Sequence, residues 1–224
     1  MSATEKQASE TIESILARLQ QEATILPQAQ VEARRAERDQ HKAQELIAEL
    51  MRKWNAPKRQ VNAEVVVDGE WGKLLHALYP KLGTGFLIVL HGTHGGGKTQ
   101  LAVELMRYQV MKRLKSARFT TAMEFFMAVK ATYREGSEKD ETQLVEEFCK
   151  PGLLVVDEVE KRGESSWENN LLFHLFNKRY NDEKDTVLIS NLPATDLSLH
   201  LGPSLVSRLN ETGGMISCNW PSRR

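Results

Sequence analysis

The sequence predicts an α/β fold, a parallel sheet flanked by helices on both faces, and three observations carry that prediction. Uninterrupted apolar runs recur along the chain: GFLIVLHG at 85–92, LLVVDE at 153–158 and TVLIS at 186–190. Each is strand-length and lacks the polar alternation of a sheet with one wet face, so both faces must be covered. Between them lie stretches with apolar residues at helical spacing, and strand–helix alternation is the pattern of parallel pairing. The first run passes into a glycine-rich loop that opens a helix, HGTHGGGKTQ at 91–100.

Taken in order, the chain first shows two helical stretches separated by Pro27. Ile12, Ile15, Leu16 and Leu19 form one apolar stripe in the first. The second, 28–54, begins polar and becomes amphipathic at Leu46, Ile47, Leu50, Met51 and Trp54. A helical hairpin with so little apolar surface completes its core on a partner or on a second copy of itself, and residues 1–60 are read as a partner-binding segment ahead of a domain at 61–224. An extended piece at 63–67 and a helix at 71–79 precede the first strand. A helix with Leu101, Leu105 and Tyr108 follows the loop, then a short strand at 118–121, a helix at 122–134 carrying Phe125, Phe126 and Met127 as core, and an acidic helix ending near Phe148. After the second strand come a helix at 167–181, the third strand, a short helix at 205–209 and a last strand in MISCNW.

Composition excludes several classes. Thirty basic and thirty acidic residues give a formal net charge of zero, so any nucleic-acid contact needs a local patch such as Arg107, Lys112, Arg113, Lys115 and Arg118. Cys149 and Cys218 are far apart, which argues against a disulfide framework or a zinc site and for a reducing cytoplasm. No run approaches the roughly 20 apolar residues that cross a bilayer.

The loop fits G-x-x-x-x-G-K-T from Gly92 to Thr99, with strand before and helix after. Curling at Gly92, Gly95, Gly96 and Gly97, with Thr93 and His94 between, turns successive N–H groups toward phosphate oxygens, backed by the helix dipole. Lys98 then reaches the β- and γ-phosphates and Thr99 offers its hydroxyl to Mg²⁺. Asp157, ending the second strand, is placed to hold the Mg²⁺ shell, and Glu158 to polarise an attacking water, a pairing that favours ATP hydrolysis over kinase chemistry. Asn191, ending the third strand, reads equally as a γ-phosphate contact or as a turn residue before Pro193. Arg208 alone is a surface charge, but in a ring ATPase an arginine there faces the neighbour's γ-phosphate.

The blocks HGTHGGGKTQLA, LLVVDEVEKRGESSWENN, LISNLP and LGPSLVSRLNETGGMISCNWPSRR together resemble the DnaC-type replicative helicase loaders, an AAA+ (ASCE) clade shared with the IstB-type transposition helpers. The resemblance spans about residues 85–224. It implies a P-loop AAA+ domain without a C-terminal lid, ATP and Mg²⁺ as cofactors, Asp157 and Glu158 as the hydrolysis pair, Asn191 as sensor and Arg208 as a finger acting in trans. It further implies a hexameric replicative DNA helicase as partner of the N-terminal helices, self-association through the ATPase domain, no membrane role, and a place in the bacterial cytoplasm, whether the gene is cellular or phage-borne. Single-stranded DNA contacts fall on Tyr133, Ser165 and Trp167, with rim packing the other reading of Tyr133. Two alternatives remain: an ATPase helper of a DNA transposase, and an interaction module that nucleotide merely orders.

Overall fold

The computed structural model describes residues 28–113, 116–161 and 165–223. The apolar stripe at Ile12–Leu19 and Lys115 of the basic run lie outside them. Five strands form one parallel sheet: β1 (Leu87–His91), β2 (Ala117–Thr121), β3 (Leu153–Asp157), β4 (Asp185–Ile189) and β5 (Gly214–Ser217), in the spatial order β2-β3-β4-β1-β5. Every residue of β1, β3 and β4 is buried, which is why these strands read as solid apolar runs. Alternate residues serve two separate cores. Ile88, Leu90, Val155 and Val187 face one, whereas Val89, Leu154, Val156 and Leu188 face the other.

The first core is closed by α3 (Gly69–Leu78) and α4 (Lys98–Tyr108), through Trp71, Leu75, Leu101 and Leu105. The second is closed by α5 (Ala122–Ala131), α6 (Glu141–Cys149) and α7 (Ser166–Asn181), with Phe125, Phe148, Leu172 and Phe176 at its centre. Three caps fix where these helices begin. Thr121 and Glu124, and Asp140 and Gln143, form reciprocal capping boxes, and Ser165 Oγ accepts from Glu168 N at 3.2 Å.

The long helix α1 (Gln28–Lys53) is continuous, as its pattern predicts. Residues 30–46 are exposed throughout, and the chain divides into compact units between Leu46 and Ile47. From Ile47 onward the helix belongs to the larger unit: Met51 is fully buried in the first core, Ile47, Leu50 and Trp54 pack against it, and Trp54 O accepts from Phe119 N at 2.7 Å. By packing, the body therefore starts about a dozen residues before Val61.

Several details depart from expectation. Residues 63–67 form no strand and join no sheet, and the helix expected to reach Arg134 ends at Ala131. Met127 is exposed rather than core, although Phe125 and Phe126 are buried as expected. Short α2 (Lys58–Val61) and α8 (Ala194–Leu201) are additional, and α9 (Pro203–Thr212) is longer than the expected segment. The basic run is partly spent on structure: Arg107 pairs with Glu104 at 3.2 Å, and the Arg118 guanidinium lies 3.6 Å from the centre of the Phe148 ring.

Candidate functional site

β1 delivers the chain from the sheet interior into the loop at Gly92–Gly97, and α4 starts at Lys98. Two glycines here are obligatory for stated reasons. Gly92 has φ 130°, and a Cβ on it would stand 2.7 Å from Asn219 Oδ1; Gly97 caps α4 at φ 76°, in the left-handed region. Lys98 is buried and folds back on the loop, donating to Gly92 O at 2.9 Å and Thr93 O at 2.7 Å. Burial holds its pKa below the ordinary lysine value, which nearby acidic groups only partly offset. His91 is buried beside it and is pushed down by burial and by the Lys98 charge, whereas His94 is exposed.

The loop meets the end of β3 directly. Thr99 Oγ1 donates to Asp157 Oδ2 at 2.8 Å, and Asp157 Oδ1 accepts from Glu158 N at 2.7 Å. Burial raises the Asp157 pKa, opposed by those two bonds. Glu158 turns out of the strand and pairs with Lys161 Nζ at 2.5 Å. Beside them the Asn191 side-chain amide and backbone N–H both donate to Glu160 Oε1, at 2.9 and 3.2 Å. β4 lies between β1 and β3, so the ends of all three strands open on one edge. Gly95–Thr99, Asp157, Glu158 and Asn191 together line one cavity of about 790 Å³. The expected loop residue His94 also lines it, with Gln100 and Ile189, and the rest of the wall comes from residues between Arg59 and Trp71 and from Trp220 to Arg223.

The profile of the family described as "IstB-like ATP binding protein" matches residues 84–208, more than half of the chain. The chain belongs to the IstB-like ATP-binding family. Its fold is the P-loop AAA+ fold. The replicative helicase loader DnaC of Escherichia coli is 26% identical over 137 residues, 61% of this chain and 55% of that protein. The chain thus spans about half the length of the curated relatives it matches. A crystal structure of the DnaC helicase loader superposes with TM-score 0.59 at 22% identity, covering 74% of this chain and 98% of that one. A replication initiator DnaA bound to AMPPCP and single-stranded DNA gives TM-score 0.59 at 22% identity, over 70% of this chain and 49% of that one.

Within the IstB-like domain the other expected site residues lie apart from the cavity. Arg208, on α9, rests against α7 with its guanidinium 5.3 Å from the Phe173 ring and 5.4 Å from the Tyr180 ring, and donates to Ser204 O at 2.9 Å. It does not line its own chain's cavity. Tyr133 and Trp167 do meet: Trp167 Nε1 donates to Tyr133 Oη at 3.2 Å with the rings edge-on at 6.3 Å, and Tyr133 Oη bonds to the Glu141 carboxylate. Lys130 Nζ lies 5.3 Å from the Trp167 ring centre. Trp167 is half-buried on Phe126, so less of its face is open than its polar neighbours suggest, while Tyr133 is exposed. Ser165 is occupied as the cap of α7.

Trp71, Trp220 and Arg223 at the cavity, and Glu160 behind Asn191, are not among the residues the sequence pointed to. Glu160 had a local signal, two positions past Glu158 in DEVE. The other three act across more than 25 residues of chain, a separation at which local pattern carries no signal.

Proposed function

We propose that this chain is an ATP-dependent loader: residues 1–60 bind a hexameric replicative DNA helicase, the AAA+ domain binds ATP·Mg²⁺ and single-stranded DNA, and hydrolysis between neighbouring copies releases the helicase onto DNA. The observation that carries the reading is the bond from Thr99 to Asp157, which joins phosphate loop and acidic strand end at the mouth of a nucleotide-sized cavity, in a chain with helicase loaders as relatives.

The residues present fit a magnesium ion. A hydroxyl and a carboxylate oxygen 2.8 Å apart are the hard oxygen donors it takes, and no three His, Cys, Asp or Glu side chains converge among the described residues, so phosphate and water would complete its shell. When bound, the ion neutralises charge developing on the transferred phosphoryl group. Thr99 and Asp157 would hold it. Lys98 exchanges Gly92 O and Thr93 O for phosphate oxygens, Glu158 leaves Lys161 to orient water, and Asn191, steadied by Glu160, contacts the γ-phosphate. Arg208, outside its own cavity, serves the neighbour's. Tyr133 and Trp167 offer stacking surface for bases, worth roughly 1–3 kcal/mol each in such sites, and Lys130 is the nearby cation.

A second reading, an ATPase helper of a transposase, is favoured by the family description and by the half-covered Trp167 face. Gel filtration of the full chain with ATP and either a purified replicative helicase or a transposase separates the two. The loader reading expects co-elution with the helicase, lost in a chain lacking residues 1–46 that still binds ATP. Co-elution with the transposase alone establishes the second reading.

A further inference from the structure

Three consecutive carbonyls of the phosphate loop are each held from outside it, and that of Gly97 also accepts from Leu101 N of α4 at 2.8 Å. Arg223 N donates to Gly95 O at 3.0 Å, Trp220 Nε1 to Gly96 O at 2.6 Å and Trp71 Nε1 to Gly97 O at 3.1 Å. The donors come from opposite ends of the domain, Trp71 from the first turn of α3 and the other two from the segment after β5. They are also locked to one another. The Arg223 guanidinium lies 4.8 Å from the Trp71 ring centre, pairs with Asp68 at 2.7 Å and donates to Val66 O at 2.5 Å.

A trans peptide carries its carbonyl and the next N–H on opposite sides of the chain. Fixing the carbonyls of 95, 96 and 97 therefore fixes the N–H groups of Gly96, Gly97 and Lys98 on the other side, as three consecutive donors of the kind that cradle an anion. A run of glycines has no side chains to hold that orientation, and each peptide plane that turns over replaces a donor with a carbonyl facing the phosphate. The fit leaves no slack: a Cβ on Gly96 would lie 3.1 Å from Cys218 O, and one on Gly97 3.1 Å from Trp71 Nε1. Lys98 must let go of Gly92 O and Thr93 O to reach a phosphate, but nothing requires the indoles to release Gly96 O and Gly97 O.

We propose that Trp71 and Trp220 are positioning residues of the phosphate loop, their indole N–H groups holding the Gly97 and Gly96 carbonyls outward so that the loop amides are set for phosphate before nucleotide arrives. The inference rests on the reading of this loop as a nucleotide site. The test uses the full chain with Trp220 replaced by benzothienylalanine, an isostere with sulfur in place of the N–H, alongside Trp220→Phe and Trp71→Phe. ATP affinity is measured by calorimetry, and melting without nucleotide is followed by circular dichroism. The isostere is expected to weaken ATP binding about tenfold while the nucleotide-free Tm stays within about 2 °C. Trp71→Phe, at a buried site, is expected to weaken binding by a smaller factor, because Leu101 N still holds Gly97 O, with a lower Tm. ATP affinity within about twofold of the parent in the isostere chain overturns the positioning role and leaves the nucleotide site standing. A parent chain that binds no ATP overturns the nucleotide reading and this inference with it.

Discussion

Glu158 stands with φ 55°, in the left-handed region that a residue with a Cβ enters at a cost of about 1–2 kcal/mol. Its exposed ion pair with Lys161 returns little of that. Strain held where a strand runs into a binding cavity is what a site tolerates when it needs a side chain aimed off the strand axis. Two substitutions separate strain from chemistry. Glu158→Gln keeps shape and is expected to leave ATP affinity unchanged while lowering turnover by about 10²-fold or more, measured by phosphate release. Glu158→Gly also loses turnover, yet is expected to raise stability in urea by about 1 kcal/mol because glycine enters this region freely. A Gly variant less stable than the parent would show that the backbone here is not strained. The Asp157–Glu158 pair was legible in the sequence because its position follows from local pattern alone, an apolar run ending in two acids. The indoles over the phosphate loop were not, because a hydrogen bond spanning 124 residues, such as Trp220 to Gly96, leaves no periodic trace.

The elements are held in register at the sheet's other end by a residue no motif announces. Arg179 of α7 is fully buried and donates five bonds: to Thr186 Oγ1, to the carbonyls of Phe148, Cys149 and Pro151, and to Asp185 O. Asp185 in turn accepts from Gly83 N and Gly85 N ahead of β1. One side chain thus ties the end of α6, the approach to β3 and the start of β4, and Asp185 extends the tie to β1. Burial lowers the guanidinium pKa only to about 10, so it stays charged at neutral pH and its bonds are charge-assisted. Arg179→Met removes the buried charged donor from those acceptors and is expected to cost about 3–5 kcal/mol in urea unfolding. A loss below about 1 kcal/mol would mean that the carbonyls find other partners. Nothing local in the sequence marks this arginine as buried, since a charged residue late in a helix is ordinarily exposed. The sequence does reveal β1, β3 and β4, whose apolar stretches follow from cover on both faces, although His91, Asp157, Asp185 and Thr186 are buried with them. Helix α8 escaped because only Leu197 of its apolar residues is fully buried while Leu199 is largely exposed, so its periodicity is weak.

At the scale of the whole molecule, the cavity has a phosphate loop, acids and an amide but lacks Arg208, which lies over Phe173 and Tyr180 on α7. A site complete in one copy would bring its arginine to its own cavity; one completed between copies displays it on a face where a neighbour can meet it. The aromatic pair steadies the guanidinium by cation–π contact, which uses none of its hydrogen-bond donors, and one N–H is spent on Ser204 O. Arg208→Ala is therefore expected to retain ATP binding and lose turnover by about 10³-fold or more. Mixing distinguishes a trans role from a structural one. A Lys98→Ala chain binds no nucleotide yet still presents Arg208, and an Arg208→Ala chain binds nucleotide yet presents no finger. Each alone is inactive, but an equal mixture places an intact finger against a loaded site at about a quarter of the interfaces in a closed or helical assembly. Recovery of phosphate release to about a quarter of the parent's rate establishes that Arg208 acts on its neighbour. An inactive mixture, with both chains folded and associated, or full activity of Arg208→Ala alone, removes the finger from this arginine and leaves a nucleotide-ordered interaction module as the account of the domain.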